Sequence, residues 1–141
     1  MRRQPGVEVR VFSGPSCGVT AATKNIVPVT MVEIRLDRGA SVRQDLPADY
    51  NAVIVILEGE GYIGAEAKSM TAGDVAWLTR GDSGKASEVA IQAKDKRLRA
   101  LLYAGRPVHE AVVARGPFVM NTEAEIEQAY ADYRAGRFGP T

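Results

Sequence analysis

A chain of 141 residues with 45% hydrophobic and 25% charged side chains has the size and make-up of one globular domain with one real core. Its 18 basic residues stand against 17 acidic ones, a formal charge of +1, which argues against the concentrated basic face that a nucleic-acid partner requires. Cys17 is the only cysteine, so no intrachain disulfide can form; no apolar run reaches the length of a membrane span, and no signal-peptide pattern opens the chain. These features predict a cytoplasmic protein with neither a nucleic-acid nor a membrane partner. Arg2 and Arg3 read as a basic terminus, and Cys17, between Gly14 and Gly18, as an inert residue in a bend.

In chain order, the first element is a half-buried strand, since Val7, Val9 and Val11 alternate with Glu8 and Arg10. Thr30, Val32, Ile34 and Leu36 fall on one face of a second strand, with Met31, Glu33 and Arg35 on the other. The run Ala52-Val53-Ile54-Val55-Ile56-Leu57 is apolar on both faces and predicts a central strand. Glu58-Gly59-Glu60-Gly61 then reads as a tight reversal into Tyr62-Ile63-Gly64, a hairpin. Turns at 72–74 and 80–84 flank Val75-Ala76-Trp77-Leu78. Val89–Ala93 and Arg99–Ala104 are further strands, and Val112-Val113 and Phe118–Met120 shorter candidates. So many short strands predict a sandwich or barrel, which also hides the sheet edges.

The last segment changes period. Thr122 and Glu125 form a capping-box pattern, and Ile126, Ala129, Tyr130 and Tyr133 make one stripe of an amphipathic helix at about 123–135. Gly136 is its stop. No linker interrupts the chain, so residues 1–141 read as a single domain.

Two stretches carry a family likeness. One is Gly105-Arg106-Pro107-Val108-His109-Glu110 followed by Gly116-Pro117-Phe118-Val119-Met120-Asn121-Thr122. The other is Glu125–Ala129 with Asp132-Tyr133 and Gly136-Arg137-Phe138-Gly139. Together they resemble the C-terminal domain of the pirin family, within the cupin superfamily. That resemblance implies an all-β fold, the cupin-type double-stranded β-helix barrel or jelly roll, with a short C-terminal α-helix. Pirins pair a metal-bearing N-terminal cupin, with three histidines and a glutamate, with a second barrel that lacks the metal. Some members oxidise flavonols such as quercetin, and others are described as regulators. The resemblance places this chain at the second barrel, with the metal-bearing half expected elsewhere.

The general cupin spacing, anchored on Gly39, Gly59, Gly73 and Gly81, puts the ligand positions at Asp45, Pro47, Ala52 and Gly84, with Glu88 at the asparagine position and Thr79 at the proline position. Proline, alanine and glycine have no side-chain donor for a transition ion, so the expectation is no metal, no cofactor and no catalytic residue. The glycine clusters join strand to strand and are not phosphate cradles. His109, the only histidine, has no evident catalytic companion; Arg106, His109, Glu110, Gly116, Pro117, Phe118, Asn121 and Thr122 are therefore expected to be structural. Any small organic ligand is expected at the barrel mouth, near Asp45, Tyr50, Asn51, Tyr62 and Trp77, with Tyr62 and Trp77 on inward faces. A packed barrel in which those two aromatics fill that space is the competing expectation. The functional expectation is a non-catalytic protein-binding or assembly module, a homodimer or a complex with another protein. The alternatives are a small-molecule sensor or carrier, and the partner half of a quercetin dioxygenase-like enzyme.

Overall fold

Period-two alternation becomes sheet faces throughout Met1–Pro107, the first of two compact units; the second runs from Val108 onward. The computed structural model describes residues 1–82 and 84–139, with the backbone alone for Arg2 and Arg3. Ser83, in the 80–84 turn, and the two basic terminal side chains lie outside the described residues.

The strands of the first unit are β1 (Arg2–Gln4), β2 (Val7–Ser13), β3 (Pro15–Ser16), β4 (Val19–Thr20), β5 (Val29–Leu36), β6 (Ser41–Pro47), β7 (Asn51–Glu58), β8 (Glu60–Ile63), β9 (Lys68–Thr71), β10 (Val75–Leu78), β11 (Ala86–Ala93) and β12 (Leu98–Gly105). They form two antiparallel sheets, ordered β1-β2-β5-β12-β7-β10 and β6-β11-β8-β9, with β3 and β4 as a separate two-stranded ribbon. From β5 to β12 the chain changes sheet at every connection except β8–β9. This is the jelly roll that the resemblance implies.

The expected hairpin after residue 57 is not formed. β7 pairs with β12 and β10, whereas β8 pairs with β11 and β9, so the chain turns a corner between sheets. The glycines permit close backbone approach at that corner. A Cβ on Gly59 would lie 2.0 Å from the Arg97 carbonyl oxygen, and one on Gly61 would lie 2.4 Å from that of Gln92.

Alternation sends Val9, Val32, Ile34, Ile54, Ile56, Ile91, Leu98 and Leu102 into a shared core, each at most 1% exposed. Burying a side chain of this size stabilises the fold by roughly 1.5–3 kcal/mol. On the outer face of the larger sheet the register divides two kinds of surface. Met31, Tyr103, Val53 and Trp77 form one row, and Leu101, Val55 and Val75 run beside it toward the β10 edge. Continuing the Leu101 row toward β5 and β2, and filling the next row at Arg35, Arg99 and Glu58, lies an ionic lattice centred on Glu33, which is 3% exposed. Its carboxylate accepts Arg99 Nε at 2.5 Å and Arg35 Nη2 at 3.1 Å, with Arg10 Nη1 at 3.8 Å. Burial raises the Glu33 carboxyl pKa, but the hydrogen bonds and charges of Arg99 and Arg35 outweigh it and hold the group below the ordinary glutamate value.

The second unit is a hairpin, β13 (Val113–Arg115) with β14 (Phe118–Met120), followed by helix α1 (Glu123–Arg134). The capping box is present: Thr122 Oγ1 accepts the Glu125 amide at 3.2 Å, and Glu125 Oε2 accepts the Thr122 amide at 2.9 Å. Ile126 and Ala129 are buried, Tyr130 is half-buried and Tyr133 is exposed. Gly136 ends the helical turn at φ +69°. No helix among the described residues is long and apolar enough to cross a membrane.

Candidate functional site: the open end of the barrel

The inward rows of the larger sheet change size along the strands. Val32, Leu102, Ile54 and Ala76 lie across one row, and Thr30, Ala104, Ala52 and Leu78 across the next. The second row holds less volume, and beside it the two sheets stand apart around a cavity of about 670 Å³. Leu46, Ala52, Ile63, Met70, Leu78 and Val89 line its wall, with Tyr50 and Trp77 among its aromatic neighbours. A volume in this range suits a small organic molecule. This end of the barrel is open, and the expectation of aromatics packed into it is not met.

Of the five residues expected at a ligand site, Tyr50 and Trp77 line the cavity. Trp77 does so from an outward position: it is 78% exposed, and its strand turns Ala76 and Leu78 inward. Tyr62 also faces outward, 40% exposed, with the Lys94 ammonium 4.8 Å from its ring centroid. The inward placement of both rings is therefore corrected. The alternation of β8 buries Gly61 and Ile63, which leaves Tyr62 outside. Asp45 and Asn51 lie away from the cavity wall. Asp45 Oδ1 accepts the Cys17 amide at 2.8 Å and Gln44 Nε2 at 2.9 Å, and Asn51 Oδ1 accepts Arg80 Nη1 at 3.4 Å. Cys17 Sγ sits 3.1 Å from the same Asp45 oxygen, in a bend with φ +46°.

The spacing argument for metal ligands also needs a change of register. β6 buries Val42, Gln44 and Leu46 and exposes Asp45 and Pro47, so Asp45 and Pro47 point the wrong way. On β11 the inward residue at this end is Val89; Gly84 precedes the strand. The inward set is thus Gln44, Leu46, Ala52 and Val89. Gln44 is already engaged: its Oε1 accepts Ser16 Oγ at 2.8 Å. This set does not fit a transition ion, which wants imidazole, carboxylate or thiolate donors. Among the described residues, no group of three or more His, Cys, Asp or Glu is placed to hold one.

The signature residues near the C-terminus build the second unit. Asn121 Nδ2 donates to Glu110 Oε2 and to the Ala111 carbonyl, each at 3.0 Å. Phe118 meets Tyr130 edge-on at 4.9 Å between centroids and stacks on Phe138 at 5.7 Å. Gly116 has φ +58°, and a Cβ there would lie 2.2 Å from the Tyr130 hydroxyl, which donates to the Arg115 carbonyl at 3.2 Å. Pro117 is exposed at the hairpin tip, and Thr122 caps the helix. His109 is exposed at φ +54° and makes no hydrogen bond among the described residues. In the first unit, the Arg106 amide donates to the Pro28 carbonyl at 3.2 Å.

Residues 31–139 match the family model of the pirin C-terminal cupin domain. The chain belongs to the pirin family. This pirin domain is 37% identical over 140 residues to pirin-like protein 2 of Arabidopsis thaliana and 36% identical over 137 residues to pirin of Homo sapiens. Those matches cover 96% and 95% of the chain but only 43% and 46% of the two relatives. A crystal structure of quercetin 2,3-dioxygenase from Acinetobacter baumannii is similar with a TM-score of 0.83 and 28% identity, over 97% of this chain and 46% of that one. The pirin domain described here thus spans less than half the length of these relatives and corresponds to their C-terminal half.

Sequence reasoning missed Lys68, Glu66 and Met70, which the β8–β9 connection and β9 bring to the cavity. Only the Gly64 turn signalled that a strand pair lay there. β6 was missed too, although Val42, Gln44 and Leu46 alternate cleanly with polar residues.

Proposed function

We propose that this pirin domain is a non-catalytic assembly module that pairs with a second copy of itself through the outer face of its larger sheet. The observation that carries this reading is the exposure of Val75 and Trp77, at 53% and 78%, on the edge strand β10. They continue the half-buried apolar residues Val53, Val55, Leu101 and Tyr103. Exposed aromatic anchors at the end of an apolar strip are what a protein interface uses. A symmetric pairing places the same strip on both partners, and a formal charge of +1 opposes it little.

The inward set Gln44, Leu46, Ala52 and Val89 supports the non-catalytic part. One similar structure is that of a quercetin 2,3-dioxygenase, of which this chain covers 46%. A dioxygenase reaction in this family would then draw its metal from the other half. The lone cysteine agrees with a cytoplasmic setting.

Size-exclusion chromatography with light scattering at micromolar concentration tests the assembly. The dimer mass is expected for the natural chain and the monomer mass for Val75→Ser/Trp77→Ser. A monomer for the natural chain would overturn the reading, as would a heterologous complex that leaves β10 exposed. Elemental analysis of the purified chain tests the other part: stoichiometric iron, nickel, copper or zinc would contradict it.

A further inference from the structure

The cavity at the open end is bordered by Val75 and Trp77 of the proposed interface, but its interior lies behind them. We infer that it is a binding site for an uncharged, mostly apolar organic molecule. Its inner wall is apolar because the inward positions of β7, β8, β9 and β11 are Ala52, Ile63, Met70 and Val89, and the small Ala52 leaves the space open, while polar side chains gather around the rest of the lining. An apolar body placed there displaces water from aliphatic surface that offers it no hydrogen bonds.

The charges at the cavity decide the class. Glu88 is neutralised by its ion pair with Arg43. The Ser87 hydroxyl is spent on the Leu46 carbonyl at 3.1 Å. What remains is one carboxylate and one ammonium, Glu66 and Lys68, both exposed and neither paired among the described residues. Their charges are equal and opposite, so the site gives no net compensation to an ionic ligand, whose desolvation is costly. Tyr50 and Thr79 add hydroxyls that suit a ligand carrying a carbonyl or hydroxyl group.

N-phenyl-1-naphthylamine, neutral and fluorescent in apolar surroundings, is the probe. The natural chain is expected to bind one molecule with micromolar affinity, at least tenfold more tightly than the anionic anilinonaphthalene sulfonate. Ala52→Leu is expected to weaken the neutral probe at least tenfold without lowering the melting temperature. If that variant misfolds, Ala76→Leu fills the neighbouring inward position and decides the same question. Amide shifts on titration provide a readout that needs no variant. Changes concentrated at Ala52, Ile63, Met70 and Val89 support the site. No binding, shifts centred on the outer face around Leu101 and Tyr103, or equal affinity for the two probes would overturn the inference. Val75 and Trp77 border the cavity as well as the proposed interface, so probe affinity is compared across a dilution series; binding to the monomer supports the site whatever the fate of the assembly.

Discussion

The two ends of the barrel are built from the same strands and differ in how completely they are closed. At one end Ile34, Ile56 and Leu98 fill the interior, and the Arg35, Arg99 and Glu58 row of the ionic lattice that reaches Glu33 covers the sheet outside. At the other, Ala52 and Ala76 leave a cavity within, and Val75 and Trp77 stand exposed without. The difference comes from a few side chains and not from topology. Stability is concentrated where large aliphatic groups meet, and recognition is available where they do not.

Substitutions at the two ends should separate these roles. The largest expected effect is Leu102→Ala in the packed interior, a loss of about 2–5 kcal/mol in denaturant unfolding. Ala52→Leu, one row away, is expected to be neutral or stabilising by up to about 1 kcal/mol, because it adds apolar volume where space exists. Equal losses at both positions would erase the distinction between the ends.

Glu33→Gln probes the outer closure of the packed end. It should cost about 1–3 kcal/mol at neutral pH, since three arginines lose their shared anion. The folded pKa of Glu33 is lowered, so its contribution is fully present above the unfolded glutamate value of about 4.3 and is lost as pH falls through the lower folded value. The stability gap between the natural chain and the variant should therefore be flat above about pH 5 and shrink in acid. A gap that widened on acidification would contradict this sign. The smallest effect is expected for Thr122→Ala, about 1 kcal/mol from loss of the helix cap, with the barrel's dye binding and dimer mass unchanged.

Strands with strict alternation were legible in the sequence. Val7–Val11 and Thr30–Leu36 follow the predicted faces, with Thr30, Val32, Ile34 and Leu36 all buried. The exception is Glu33, buried on the outward side because arginines from β2, β5 and β12 converge on it, a long-range effect that local pattern does not contain. The capping box at Thr122 was legible because it is a local motif. The crossing at Gly59 was not, since the same Gly-x-Gly chemistry serves a hairpin turn and a corner between sheets. The β6 register failed by one residue, and in a strand one residue exchanges the faces. For the candidate site this brought Asp45 forward and hid Gln44 and Leu46. Tyr50 and Trp77 were placed at the mouth, whereas Lys68 and Glu66 reach it through a strand pair whose partners are far apart in sequence.

Sedimentation equilibrium across a dilution series is the most direct test of assembly through the exposed end. A reversible monomer–dimer equilibrium is expected for the natural chain, shifted to monomer by Val75→Ser/Trp77→Ser and unaffected by Glu33→Gln. A single monomeric species at every concentration, or a dimer indifferent to the β10 substitutions, would contradict the account.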